Sequence, residues 1–197
     1  MGAFYTTLLV RGASRDSIVS WLRQRQRRAI VLPTRDGVTP VFDKKCESQS
    51  QKEITLLSGS ISKELKCTAW AVMNHDDDLL VYQLYKEGEL VDQYSSVKAA
   101  VYFGVEESGE FEEEDESDYA PTGGDATVLC ELIGNSADCE AVASILMDLG
   151  PMGGRFFDAS ERHYALLRAL GIDPVDLCTG YNYLRQSPRG KDIIYID

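Results

Sequence analysis

The chain has 197 residues, 44% of them hydrophobic and 26% charged, a composition that can bury a core without metal or disulfide staples. Its net charge of −12 is uneven: residues 1–45 hold nine Lys/Arg and three Asp/Glu (+6), the remainder eleven and 29 (−18). A negative field of this kind argues against nucleic acid as a partner, and no apolar run reaches the roughly 20 residues of a membrane-spanning helix.

In chain order, "FYTTLLVRG" (4–12) is β-branched and aromatic and predicts a strand. "SRDSIVSWLRQRQ" (14–26) switches to helical spacing at Ile18, Trp21 and Leu22, with Ser14 as its N-cap. "RRAIVLPT" (27–34) and "VTPVFD" (38–43) predict two strands about an "RDG" turn, with Pro40 pointing to an edge or a bulge. Residues 49–66 carry Ile54, Leu57, Ile61 and Leu65 at helical spacing, weakened by Gly59 in the middle. "CTAWAVMNH" (67–75) predicts the fourth strand. The order is β-α-β-β-α-β, which resembles the ferredoxin-like arrangement. "LLVYQLY" (79–85) and "ELVDQYS" (89–95), joined by "KEG", extend it by a hairpin.

Beyond residue 96 the composition changes. Residues 105–125 hold ten acids, with Pro and Gly punctuation, and predict an exposed loop or linker. Helical patterns follow from Asp125, from Ser136 to Gly150, over 158–171, and over 173–186, where Asp173-Pro174 suits an N-cap and first helical position. "IIYI" near the end predicts a short strand. The expected fold is therefore α+β. A ferredoxin-like βαββαβ sheet unit with its hairpin extension spans 1–96, an acidic loop or linker 105–124, and a mainly helical region with a terminal strand 125–197.

The chain has only two histidines. His75 opens "HDDD" (75–78), but consecutive strand residues alternate faces, so three aspartates cannot converge on one ion. An EF-hand register starting at Asp76 puts Val81 where Gly is needed. A polar turn between two strands is the expected reading. His163 in "SERHYALLRAL" shares a helical face with Ala159, Leu166 and Leu167, which suggests a half-buried position. "LGPMGGRFFD" (149–158) could cradle an anion beside Arg155, but a plain interhelical turn is the expected reading, and neither a Walker nor a dinucleotide-binding pattern is present. The "RQRQRR" cluster (23–28) lacks the aromatic signature of an RNA-recognition sheet and is expected to lie in solvent or balance the acidic half. Five cysteines without CxxC spacing predict buried free thiols in a reducing cytoplasm.

Tyr82, Tyr85 and Tyr94 on the hairpin combine apolar area with a polar tip, which suggests an interaction surface. The functional expectation is a cytoplasmic, non-catalytic protein-interaction module, with a sharper form as an acidic immunity-type or inhibitor protein for a basic partner. The competing expectation is an enzyme or small-ligand site between sheet and helices, built from Asp76, Asp78, Arg155, His163 and Tyr181. A third is a module that oligomerises through a sheet edge. No cofactor motif is found, and neither substrate nor oligomeric state is legible.

Overall fold

The computed structural model describes residues 2–97, 120–150, 153–186, 190 and 192–197; the acidic run at 105–119 lies outside them. The elements are β1 (Tyr5–Arg11), α1 (Arg15–Gln24), β2 (Ala29–Val31), β3 (Val38–Asp43), α2 (Gln51–Leu65), β4 (Thr68–His75), β5 (Leu79–Lys86), β6 (Glu89–Ser95) and β7 (Thr122–Gly123). They continue with α3 (Ala126–Ile133), α4 (Cys139–Leu146), α5 (Ala159–Ala169), α6 (Tyr181–Gln186) and β8 (Ile194–Ile196). The fold is mixed α and β. Its eight described strands form one antiparallel sheet in the order β7-β6-β5-β4-β1-β3-β2-β8.

Strand alternation sorts the sheet into two buried faces. Leu8, Val10, Ala69, Ala71 and Met73 pack under Ile18 and Leu22 of α1 and Ile54, Leu57 and Ile61 of α2. Their neighbours Leu9, Trp70 and Val72, with Leu80, Tyr82 and Leu84, pack under α3, α4 and α5 through Leu129, Val142, Ile145, Leu166 and Leu167. The sheet is thus the middle of three layers, and the helical region shares its core with the strands instead of forming one of its own. A smaller cluster joins Tyr181 and Leu184 of α6 to Ile30, Leu32 and Phe42.

Caps account for the helix starts. Ser14 accepts from Ser17 N, Asp125 from Thr127 N and Val128 N, Asp138 from Ala141 N, and Asp158 from Glu161 N. Gly59 sits mid-helix in α2 beside the ring of Tyr85. A Cβ built there would lie 3.5 Å from Tyr85 Cε1, an ordinary contact, on backbone that is already helical. Gly59→Ala is therefore expected to stabilise the protein by about 1 kcal/mol in urea unfolding.

Several expectations are corrected. Pro40 is not on an edge: β3 lies between β1 and β2. The Pro40 carbonyl accepts from Leu32 N just past the end of β2, so the missing donor falls where that ladder has already stopped. The helix expected over 173–186 forms only at Tyr181–Gln186. Asp176 is left-handed, and the carbonyls of Leu177 and Thr179 accept from Thr7 Oγ1 on β1 at 2.8 and 3.1 Å instead of from a helical N–H. Part of the loop expected at 105–124 is ordered, since Thr122–Gly123 pairs with β6. Cys130 and Cys139 are joined as a disulfide with Cα atoms 6.0 Å apart, so the expectation of five free thiols fails at this pair. Within the arginine cluster, Arg27 is not in solvent: it is buried, paired with Asp43 and also with Glu53 of the acidic part.

Candidate functional site

The structure does not bring together the residues of the expected pocket. Asp76 and Asp78 are exposed on the turn after β4, Arg155 is exposed in the loop before α5, Tyr181 is buried on the α6 cluster, and His163 is fully buried. The expected tyrosine surface is also corrected. Tyr82, Tyr85 and Tyr94 are buried, because α2 covers one face of the hairpin and the C-terminal helices cover the other. Tyr82 stacks on Tyr94 at 5.3 Å between centroids, and its hydroxyl donates to Asp92 at 2.6 Å.

His163 is held between Tyr5 and Trp70, with ring centroids at 5.8 and 6.1 Å, and its Nδ1 lies 3.0 Å from the Tyr5 hydroxyl. Its Nε2 is buried with no hydrogen-bond partner among the described residues. Burial pushes the imidazole pKa down to about 3, so the ring is neutral near neutral pH and shielded from solvent. The Tyr5 hydroxyl also contacts Cys178, whose thiol burial raises to about 11 despite the opposing pull of that hydrogen bond. A thiol held protonated and an inaccessible imidazole, each touching the Tyr5 hydroxyl, make a poor nucleophile–base pair.

The glycine-rich loop before α5 is filled from within. The Asp148 carboxylate accepts from Gly150 N at 2.9 Å, Arg155 N at 2.8 Å and Phe156 N at 3.4 Å. Burial alone would raise this carboxyl; the N–H groups of Arg155, Gly150 and Phe156 and the Arg162 guanidinium hold it below its ordinary range. The anion cradle read from the sequence therefore holds the protein's own aspartate. Arg162, itself buried, donates to the Asp148 carbonyl at 2.8 Å and to the Tyr94 hydroxyl at 2.5 Å, which locks this loop to β6.

The "HDDD" stretch is the polar turn expected of it. Asp76 and Asp77 both adopt the left-handed conformation, at φ 53° and 63°. Their carboxylates clip the N-terminal residues: Asp76 Oδ1 accepts from Gly2 N at 3.0 Å, and Asp77 accepts from Ala3 N at 2.8 Å and Asn74 Nδ2 at 3.0 Å. The Asp77 carbonyl accepts from Ala159 N at 2.6 Å, so the start of α5 abuts the same turn.

Two exposed aromatic residues flank that turn. Phe4 is 47% exposed and packs edge-on to His75 at 4.9 Å. Phe157, two residues before the Ala159 contact, is 86% exposed. Around them lie the exposed acids Asp76, Asp78 and Glu161. Sequence reasoning passed over both phenylalanines. The available signal was "RFFD", where Phe156 turns into the core and its neighbour is left outside. Exposed rings among carboxylates offer apolar contact and negative charge side by side.

Among the described residues no group of three or more His, Cys, Asp or Glu side chains is placed to hold a metal ion, and no helix is long and apolar enough to cross a membrane. No family model, curated protein or solved structure matches the chain.

Proposed function

We propose that this protein is a non-catalytic interaction module of the immunity or inhibitor type, which docks a basic protein partner on the acidic, aromatic-bearing end around residues 75–78. The observation that carries the reading is Phe157, a large apolar side chain left 86% exposed beside the exposed Asp76, Asp78 and Glu161. A net charge of −12 adds attraction for a basic surface, and such fields speed association and select partners. The scaffold reading is a ferredoxin-like unit over β1 to β4, supported by the order β4-β1-β3-β2 and by two crossover helices on one face. The β5–β6 hairpin extends it. A cytoplasmic setting accords with free Cys46, Cys67 and Cys178.

The test is affinity capture from the source lysate with the wild type and with Phe157→Ser, each at about 50 mM and about 500 mM salt. The expected result is one basic partner, bound at low salt, released at high salt, and held by Phe157→Ser with at least about tenfold lower affinity in titration. Thermal unfolding of the variant should match the wild type, since an exposed side chain contributes little to the core. A partner that binds both proteins equally, or an acidic partner, would overturn the proposal.

A further inference from the structure

The Cys130–Cys139 pair is the second feature that calls for an explanation, and it is separate from the docking face. Cys130 lies on α3 and is half-buried, while Cys139 is the first residue of α4 and is exposed. The other three cysteines are unpaired, and burial pushes the Cys67 and Cys178 thiols up to about 11 and that of Cys46 higher still. The chain between the paired cysteines is fixed independently of the disulfide. Gly134 N donates to the Cys130 carbonyl at 3.0 Å, Asn135 N to Leu170 O at 2.7 Å, and Asp138 N to Ala169 O at 2.8 Å. At Gly171 a Cβ would come 1.7 Å from the Asn135 carbonyl, so α5 and this loop meet backbone to backbone. Leu129, Ile133, Val142, Ile145 and Leu146 anchor the two helices on the sheet. With both helices and their connection held by other contacts, the Cα separation of 6.0 Å does not depend on the S–S bond.

We propose that Cys130 and Cys139 form a reversible thiol–disulfide site that exchanges with small-molecule disulfides, with Cys139 as the entry sulfur and Cys130 as the resolving one. In the oxidising direction the Cys139 thiolate attacks a small disulfide RSSR, forming a Cys139–S–S–R mixed disulfide and releasing RS⁻. The Cys130 thiolate then attacks the Cys139 sulfur, closing the internal disulfide and releasing the second RS⁻. The two protons lost by the protein thiols convert the two RS⁻ into RSH, and the small disulfide is the oxidant. Excess RSH runs both steps backwards. Exposure and the helix N-terminus single out Cys139 for the first attack. The acids next to the pair in sequence, Glu131, Asp138 and Glu140, favour a cationic reagent such as cystamine over the anionic glutathione disulfide.

Reduced Cys130→Ser, Cys139→Ser and the double variant are each exposed to cystamine and to glutathione disulfide at equal concentration, and adducts are followed by intact mass. Cys130→Ser should form a mixed disulfide at least about tenfold faster than Cys139→Ser, and faster with cystamine than with glutathione disulfide. The double variant reports the three remaining thiols and should be the slowest. Reduced wild type should pass through the adduct to the internal disulfide, which peptide mapping locates at Cys130–Cys139. The proposal is overturned if Cys130→Ser reacts no faster than the double variant, or if wild type accumulates a lasting adduct without closing. Circular dichroism of each variant checks that the fold persists.

Discussion

Asp43→Ala is expected to lower the unfolding free energy by about 3–5 kcal/mol, a large share of the roughly 5–15 kcal/mol that holds a domain of this kind together. Asp43 receives a two-pronged contact from Arg27, with Nε to Oδ2 at 2.8 Å and Nη2 to Oδ1 at 2.6 Å. The two side chains are 9% and 1% exposed, so water cannot replace what is lost. Asp43 Oδ1 also accepts from Lys45 N at 2.9 Å and Cys46 N at 3.1 Å, which shapes the short 3₁₀ turn after β3. Removing the carboxylate strands a buried guanidinium with Glu53 as its remaining carboxylate partner, at 3.1 Å, and leaves two backbone donors unpaired. Urea unfolding should show the midpoint drop with an unchanged slope. Arg27→Met combined with Asp43→Leu should recover the part of the loss due to the stranded guanidinium, but not that of Lys45 N and Cys46 N, which stay unpaired. A loss below about 1 kcal/mol in Asp43→Ala would mean that the pair is far better solvated than its burial implies.

The second large effect is acid lability centred on His163. Its pKa is about 3 in the folded protein against an ordinary value of 6.5, because burial opposes the charged form. The unfolded chain therefore binds a proton first as the pH falls. Between pH 6.5 and about 3 the unfolded state carries more protons, so stability falls with decreasing pH by about 1.4 kcal/mol per unit. Above that window His163 contributes no slope, and below it both states are protonated. Over the whole window the loss sums to about 5 kcal/mol. Denaturant unfolding at about pH 7 and about pH 4, in wild type and His163→Gln, isolates this group from the many carboxylates. The variant should show a pH-dependent loss smaller by about 3 kcal/mol. Equal losses in the two proteins would mean that the imidazole is reached by water or by an acid partner in the fold.

The sequence by itself determined most of the local structure. Period-2 alternation located the long strands, helical spacing located α1 to α5, with Ser14 and Asp158 marking two of their starts, and three aspartates in a row marked a chain reversal. These are effects of neighbours, so a one-dimensional reading reaches them. The polar-turn reading of "HDDD" came the same way, from the direction of successive side chains.

What only the tertiary structure decided were the outcomes that depend on groups distant in the chain. Tyr82 and Tyr94 alternate as an amphipathic strand would, but helices from residues beyond 125 cover the face they occupy. The segment before α6 has helical spacing, yet Thr7, about 170 residues away, takes its carbonyls, and a turn forms at 175–177 where a helix was expected. Arg27 finds its partner across the β2–β3 pairing, and Cys130 meets Cys139 because α5 pins the loop between them. Phe157 is left outside because Asp77 and Asp148 seize the backbone on either side of it. Each case turns on which polar group satisfies a given backbone atom or charge once the layers close. That competition is decided by proximity in space, which the order of residues does not encode locally.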